Sequence, residues 1–99
     1  MMAGGFTVGS SPSGDKAGTL AALAVFAAQH GMIWVGQAEI GPPYKPGREG
    51  INVDGFWLGL GATSSRDKSV MIDEGDRSTA RIFAERFAGS VRRWARSRP

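Results

Sequence analysis

The sequence contains no cysteine and a single histidine among its 99 residues. The absence of cysteine excludes disulfides, thiolate metal sites and a cysteine nucleophile. A transition-metal site is not expected, because such sites commonly draw on several nitrogen or sulfur ligands. No apolar run approaches the ~20 residues that span a bilayer, and the longest, Leu20–Ala28, lacks the basic leader of a signal peptide. We therefore expect no membrane span and a cytoplasmic location.

The composition is that of one small globular domain, residues 1–99, with 41% apolar and 21% charged residues. The formal net charge is +3, and much of the excess comes from arginines near the C-terminal end of the sequence: Arg92, Arg93, Arg96 and Arg98. Cations are ordinary in the last turn of a helix. No motif of a nucleic-acid-binding fold accompanies them, so specific nucleic-acid binding is not expected.

Three segments predict one β-α-β unit. Gly5–Gly9 and Gly31–Gly36 have the pattern of short strands, and the second is a continuous apolar run, as in a parallel sheet covered on both faces. Lys16–His30 is rich in alanine and leucine and predicts a helix that Asp15 or Ser13 can cap. The loops that connect these strands to the helix are short, so the two strands should be parallel.

Residues 38–74, here called the excursion, contain three of the five prolines and many glycines. A segment of this length without regular structure is usually functional. Within it, Ile51–Val53 and Phe56–Leu60 predict a small hairpin around Asp54–Gly55.

A closing helix follows, with Asp76 or Ser78 as its expected cap and an end near Ser97. Its apolar residues recur at helical spacing and form one stripe: Ala80, Phe83, Ala84, Phe87, Ala88, Val91, Trp94 and Ala95. The predicted fold class is therefore α/β. Because two strands do not make a stable sheet, we expect further strands or a partner.

The sequence GSSPSGDK, residues 9–16, joins the first strand to the helix and has the glycine spacing of a phosphate-binding loop. A nucleotide P-loop continues directly with Lys and then Ser or Thr. Here Asp15 takes the lysine position, Lys16 comes one residue late, and Ala17 has no hydroxyl. A carboxylate at that place repels phosphate, which excludes an ATP or GTP site. Two interpretations stay open: an ordinary β-α turn, or a site for a neutral or weakly charged ligand at the carboxyl end of a strand.

The stretch GFTVGSSPSGDKAGTLAALAVFAAQHGMIWVG, residues 5–36, resembles the second half of flavodoxin-like proteins. It is most similar to NAD(P)H-dependent FMN reductases and quinone oxidoreductases of the tryptophan-repressor-binding-protein type. The likeness lies in the strand ending in a Ser-rich, Gly-containing loop and in the step His30-Gly31-Met32 before an apolar strand. It continues through the Gly/Pro/Tyr-rich excursion to the closing amphipathic helix, and so covers essentially the whole chain.

The resemblance implies a parallel sheet of strand order 2-1-3-4-5, of which this chain supplies the fourth and fifth strands. It implies FMN as cofactor, NAD(P)H and a quinone or similar acceptor as partners, and His30 near the substrate. The loop beside the isoalloxazine edge consists of Ser10, Ser11, Pro12, Ser13, Gly14 and Asp15. The resemblance also requires Phe6–Val8 and Met32–Val35 to lie side by side, and parallel, in one sheet.

The family's phosphate-binding loop follows its first strand, and a second flavin loop follows its third; neither occurs in this sequence. We therefore expect this chain alone to bind FMN poorly or not at all, and to act with a complementary N-terminal half or as a homo-oligomer. The alternative is a cofactor-free assembly module that pairs with another chain through an exposed sheet edge.

Overall fold

The computed structural model describes residues 1–11, 13–64 and 74–97. Along these residues the chain forms four short strands and two helices, in the order β1 (Met2–Ala3), β2 (Phe6–Gly9), α1 (Lys16–Gln29), β3 (Ile33–Trp34), β4 (Leu60–Thr63) and α2 (Glu74–Ser97). The α/β class expected from the sequence is confirmed.

The strands form two parallel ladders that share residues 2–9, here called the N-terminal segment. β1 pairs with β3, with Met2 opposite Ile33, and β2 pairs with β4, with Phe6 opposite Leu60. A parallel crossover through α1 is therefore present, but it joins β1 to β3 and not Gly5–Gly9 to Gly31–Gly36 as the sequence predicts. The predicted side-by-side pairing of Phe6–Val8 with Met32–Val35 is wrong, because these residues lie in two separate two-stranded sheets.

The reason is that β3 and β4 follow one another along the same side of the N-terminal segment. Four odd-numbered carbonyls accept hydrogen bonds from the two neighbours: Met1 from Ile33, Ala3 from Val35, Gly5 from Leu60 and Gly9 from Ser64. Alternate residues of an extended chain point their backbone groups to the same side. β3 and β4 are thus two parts of one interrupted edge strand. The chain leaves this edge at Gly36, where a Cβ would lie 2.9 Å from the Trp57 carbonyl oxygen.

The two helices lie on opposite faces of the strands. A Cβ on Gly5 would meet Leu23 of α1 at 3.1 Å, whereas a Cβ on Gly4 would meet Phe87 of α2, also at 3.1 Å. Because successive residues of a strand point to opposite faces, the odd-numbered residues of the N-terminal segment face α1 and the even-numbered ones face α2. The described chain therefore has three layers, with α1 on one face and α2 on the other.

α1 ends as its sequence predicts. Gly31 has a φ of 71°, which glycine adopts without strain. The N–H groups of Gly31 and Met32 donate to the carbonyls of Ala28 and Ala27, both at 3.0 Å. This is a Schellman end, in which two otherwise unpaired helix carbonyls gain donors. It turns the chain directly into β3.

α2 begins at Glu74, ahead of the predicted caps Asp76 and Ser78, so Asp76 lies in the first turn instead. The helix buries Thr79 and Phe83 and packs mainly on β4. The distal members of the predicted stripe, Val91 and Trp94, remain exposed.

The predicted hairpin within the excursion is wrong. Residues 51–54 form a turn in which the Gly55 N–H donates to the Asn52 carbonyl at 3.0 Å. Leu60 begins β4, which pairs with β2 and not with Ile51–Val53. Of the predicted segment Phe56–Leu60, only Leu60 lies in a strand, and the partner of that strand lies far away in the sequence.

Candidate functional site

The carboxyl ends of β2 and β4 lie side by side, since both strands run in the same direction. β2 leads into the loop of residues 10–15, and β4 ends in Thr63 followed by Ser64. The Ser64 N–H donates to the Gly9 carbonyl at 3.0 Å and so continues the pairing to the start of the loop. In open parallel sheets, ligands bind outside this end of the strands.

The loop is a tight turn into α1. Gly14 and Asp15 both have positive φ, 43° and 56°. The Lys16 N–H donates to the Ser13 carbonyl at 2.8 Å, which closes the turn. Asp15 occupies the predicted cap position but makes no side-chain capping bond; its carboxylate lies against Gly18 instead.

The structure gathers the sequence-predicted loop residues at one surface. The exposed members are Ser10, Ser11, Ser13, Gly14 and Asp15. Pro12 lies outside the described residues. The surface therefore offers three hydroxyl groups with backbone amides between them. Hydroxyls and amides suit an uncharged polar ligand.

A network of polar groups links the loop to both layers below it. Lys16 is only 2% exposed and donates from its Nζ to the Thr63 Oγ1 at 2.9 Å. The Thr63 N–H in turn donates to the carboxylate of the buried Asp76 at 2.9 Å. The start of α1, the end of β4 and the first turn of α2 are thereby held together under the loop.

His30 is not brought to this surface. It follows the last residue of α1, where its Nδ1 donates to the Phe26 carbonyl at 3.0 Å and its ring lies 4.4 Å from the Phe26 ring, centroid to centroid. The loop is at the other end of the same 14-residue helix. At 1.5 Å per residue the two lie about 20 Å apart along the helix axis. His30 therefore belongs to the helix end and not to the carboxyl-end surface.

Thr63 and Asp76 are members of this region that the sequence pattern did not predict, and Lys16 was predicted only as a misplaced P-loop lysine. One signal was present: LGLGATSS, residues 58–65, repeats the pattern of FTVGSS, residues 6–11, in which a short apolar piece ends in hydroxyl residues. Two such pieces predict two neighbouring strand ends. Asp76 carried no such signal, because its role depends on where α2 begins.

Over the described ranges 1–11, 13–64 and 74–97, no cluster of three His, Asp or Glu side chains is arranged to hold a metal ion. Within the same ranges, neither helix is long and apolar enough to cross a membrane. Comparisons of the chain with protein-family models, with curated proteins and with solved structures gave no match.

Proposed function

We propose that this chain is the flavin-ring-binding part of a flavodoxin-like oxidoreductase that transfers electrons from NAD(P)H to a quinone or similar acceptor. The observation that carries the proposal is the loop of residues 10–15, with its exposed hydroxyls, at the carboxyl end of β2 beside the carboxyl end of β4. The parallel crossover from β1 through α1 to β3, with helices on opposite faces of the strands, also supports it.

The resemblance required one fifth strand beside residues 6–8, and the structure has two separate pairings there. The proposal is compatible with this only because β3 and β4 share one side of the N-terminal segment. It therefore treats them as a single edge strand that the excursion interrupts. The proposal assigns no part to His30, which lies at the far end of α1.

The chemistry of the loop decides which part of FMN it can hold. Its hydroxyls and amides suit the polar edge of the isoalloxazine ring, whereas the carboxylate of Asp15 disfavours a phosphate. The Lys16 ammonium, the cation nearest to the loop in sequence, donates to Thr63 under it. The flavin would supply the hydride chemistry, and these residues would orient and shield its ring.

Titration of the purified chain with FMN and with riboflavin, followed by quenching of flavin fluorescence, tests this assignment. Because the loop is assigned to the ring and not to the phosphate, the two flavins should bind with dissociation constants within about threefold of each other. Combined Ser10→Ala, Ser11→Ala and Ser13→Ala substitutions should weaken both about tenfold, the effect of one or two neutral hydrogen bonds. Ser90→Ala on α2, where the hydroxyl donates to the Arg86 carbonyl, is the matched control and should change neither constant. A dissociation constant for FMN at least tenfold below that for riboflavin, or serine substitutions that leave both constants unchanged, would reject the assignment of the loop to the ring.

A second candidate function, a cofactor-free assembly module, is favoured by a different observation. The even-numbered residues of the N-terminal segment point their backbone groups away from β3 and β4, and no strand among the described residues pairs with this side of the segment. The two candidates separate on desalting after incubation with FMN. Yellow protein supports the oxidoreductase, and colourless protein that elutes as an oligomer supports the assembly module.

A further inference from the structure

The open side of the N-terminal segment, here called the free edge, is defined by the backbone groups of Met2, Gly4, Phe6 and Val8. Within the described residues none of these groups donates to or accepts from another backbone group, whereas the odd-numbered carbonyls accept from β3 and β4. Unpaired N–H and C=O groups of this kind form a template for one further strand.

Exposed apolar side chains flank the free edge on the α2 face. Phe6 is 69% exposed and Val8 is 47% exposed, although both belong to a strand between two helices. Next to them an open groove of about 330 Å³ is lined by residues that include Phe6, Phe83 and Phe87. α2 lies mainly over β4 and does not reach across to cover Phe6.

Exposed apolar side chains also flank the free edge on the α1 face. Ala17 of α1 faces the excursion, because it lines a groove with Phe56 and Trp57. At 100° per residue, Leu23 and Phe26 lie on the opposite flank of the helix, above the free edge. Both are exposed, at 39% and 59%. A strand added at this edge would therefore meet apolar surface on both of its faces.

We propose that the free edge is completed by a strand of another, different polypeptide chain. This strand is apolar on both faces and is accompanied by a helix that covers Phe6 and Val8. Continuity with the existing ladders supports a strand as the occupant, since the free edge is the other side of a segment already paired along its length. The exposed side chains on both faces support its apolar character. This inference goes beyond both candidate functions: it does not depend on flavin binding, and it assigns the free edge to a partner other than a second copy of this chain.

A second copy of the chain fits the free edge less well. Pairing of two free edges about a two-fold axis would place the two α1 helices about two strand spacings apart, or ~10 Å, which is a normal packing distance. The two α2 helices would lie about three spacings apart, or ~14 Å. That distance is too large for the helices to pack on each other and too small to admit another helix. Phe6 and Val8 of both copies would stay uncovered.

Amide hydrogen exchange by NMR on the full chain, together with its mass in solution, tests the proposal. The isolated chain should be a monomer in which the amides of Gly4, Phe6 and Val8 exchange at least tenfold faster than those of Thr7 and Gly9. Two nine-residue probe peptides are then added: one with a central run of five valines and isoleucines between lysine pairs, and one in which valine and lysine alternate. The first peptide should slow exchange at Gly4, Phe6 and Val8, and the second should not. Val8→Lys should abolish the protection by the first peptide.

Each other outcome overturns the proposal. Protection of the even-numbered amides that grows with protein concentration, together with a dimer mass, would assign the edge to a second copy. Protection of the same amides in the monomer would show that the edge is not free. Equal protection by both peptides, or by neither, would contradict an occupant that is apolar on both faces. None of these readouts depends on flavin, so the oxidoreductase proposal can fail without this one failing.

Discussion

The described part of the excursion, residues 38–64, has no regular structure before β4, yet side-chain hydrogen bonds hold several of its backbone groups. The N-terminal segment is regular, but half of its backbone groups have no backbone partner among the described residues. Asn52 organises the excursion and is only 4% exposed. Its Nδ2 donates to the carbonyls of Glu39 at 2.7 Å and Phe56 at 2.9 Å, and its Oδ1 accepts from the Phe56 N–H at 3.2 Å. One side chain thus replaces the hydrogen bonds that a strand or helix would supply.

The excursion is also tied to both layers of the fold. The Asn52 N–H donates to the Thr79 Oγ1 of α2 at 2.8 Å. At its ends, Trp34 donates from Nε1 to the Leu58 carbonyl, and Gln37 donates from Nε2 to the Gly59 carbonyl. Irregular backbone is therefore not a sign of an incomplete region in this molecule. The free edge differs from the excursion because, among the described residues, a row of backbone groups without a backbone partner lies beside exposed apolar side chains there.

The largest expected effect in this comparison comes from Asn52→Ala. The substitution removes three hydrogen bonds, leaves the half-buried Phe56 N–H without its acceptor, and places alanine at a φ of 53°. Lost bonds of about 1 kcal/mol each and about 1 kcal/mol of backbone strain predict a loss of about 3–4 kcal/mol in the free energy of unfolding. Urea denaturation measures it.

Val53→Ala is the control for Asn52→Ala. Val53 is the next residue along the turn and is exposed, so its truncation should change stability by less than about 0.5 kcal/mol. A loss below about 1 kcal/mol for Asn52→Ala would mean that the excursion does not depend on this side chain. The contrast between the excursion and the free edge would then lose its basis.

A smaller effect is expected from Thr79→Val. The hydroxyl accepts from the Asn52 N–H and donates to the Gly75 carbonyl at 2.7 Å. Valine keeps the volume but leaves a buried N–H unsatisfied, which should lower the free energy of unfolding by about 1–2 kcal/mol. Thr79→Ser keeps the hydroxyl and should lose less than half as much as Thr79→Val. A loss below about 0.5 kcal/mol for Thr79→Val would show that the hydroxyl does not hold the excursion to α2.

Much of the fold was predictable because local rules decided it. The start and end of α1 followed from its alanine-rich run and from Gly31, whose positive φ suits a Schellman end. A parallel crossover was predicted too, but its first strand was placed at Gly5–Gly9 and lies at Met2–Ala3. The loop at residues 10–15 was predicted as a candidate site because it follows a strand directly, and the structure places it at a strand's carboxyl end.

The register of the strands was not predictable, since it depends on contacts between residues far apart in the sequence. The sequence around Leu60 fits a hairpin strand as well as a parallel one, and only pairing with Phe6 selects the second. The same holds for Asp76. Its carboxylate accepts from Thr63 because α2 begins at Glu74, which brings its first turn beside the end of β4.

Phe6→Lys should have the smallest effect on stability, and it tests most directly whether the free edge is uncovered. Phe6 is 69% exposed, so its replacement removes little buried apolar surface, and the free energy of unfolding should change by no more than about 0.5 kcal/mol. The fluorescence of an apolar dye such as ANS should nevertheless fall, because the groove beside Phe83 and Phe87 loses one of its walls. Val91→Lys, on the distal part of α2, is a control in an exposed apolar residue away from the free edge and should leave the dye signal unchanged. A loss of 2 kcal/mol or more for Phe6→Lys would mean that this ring is packed in solution, and that the edge is already covered in the isolated chain.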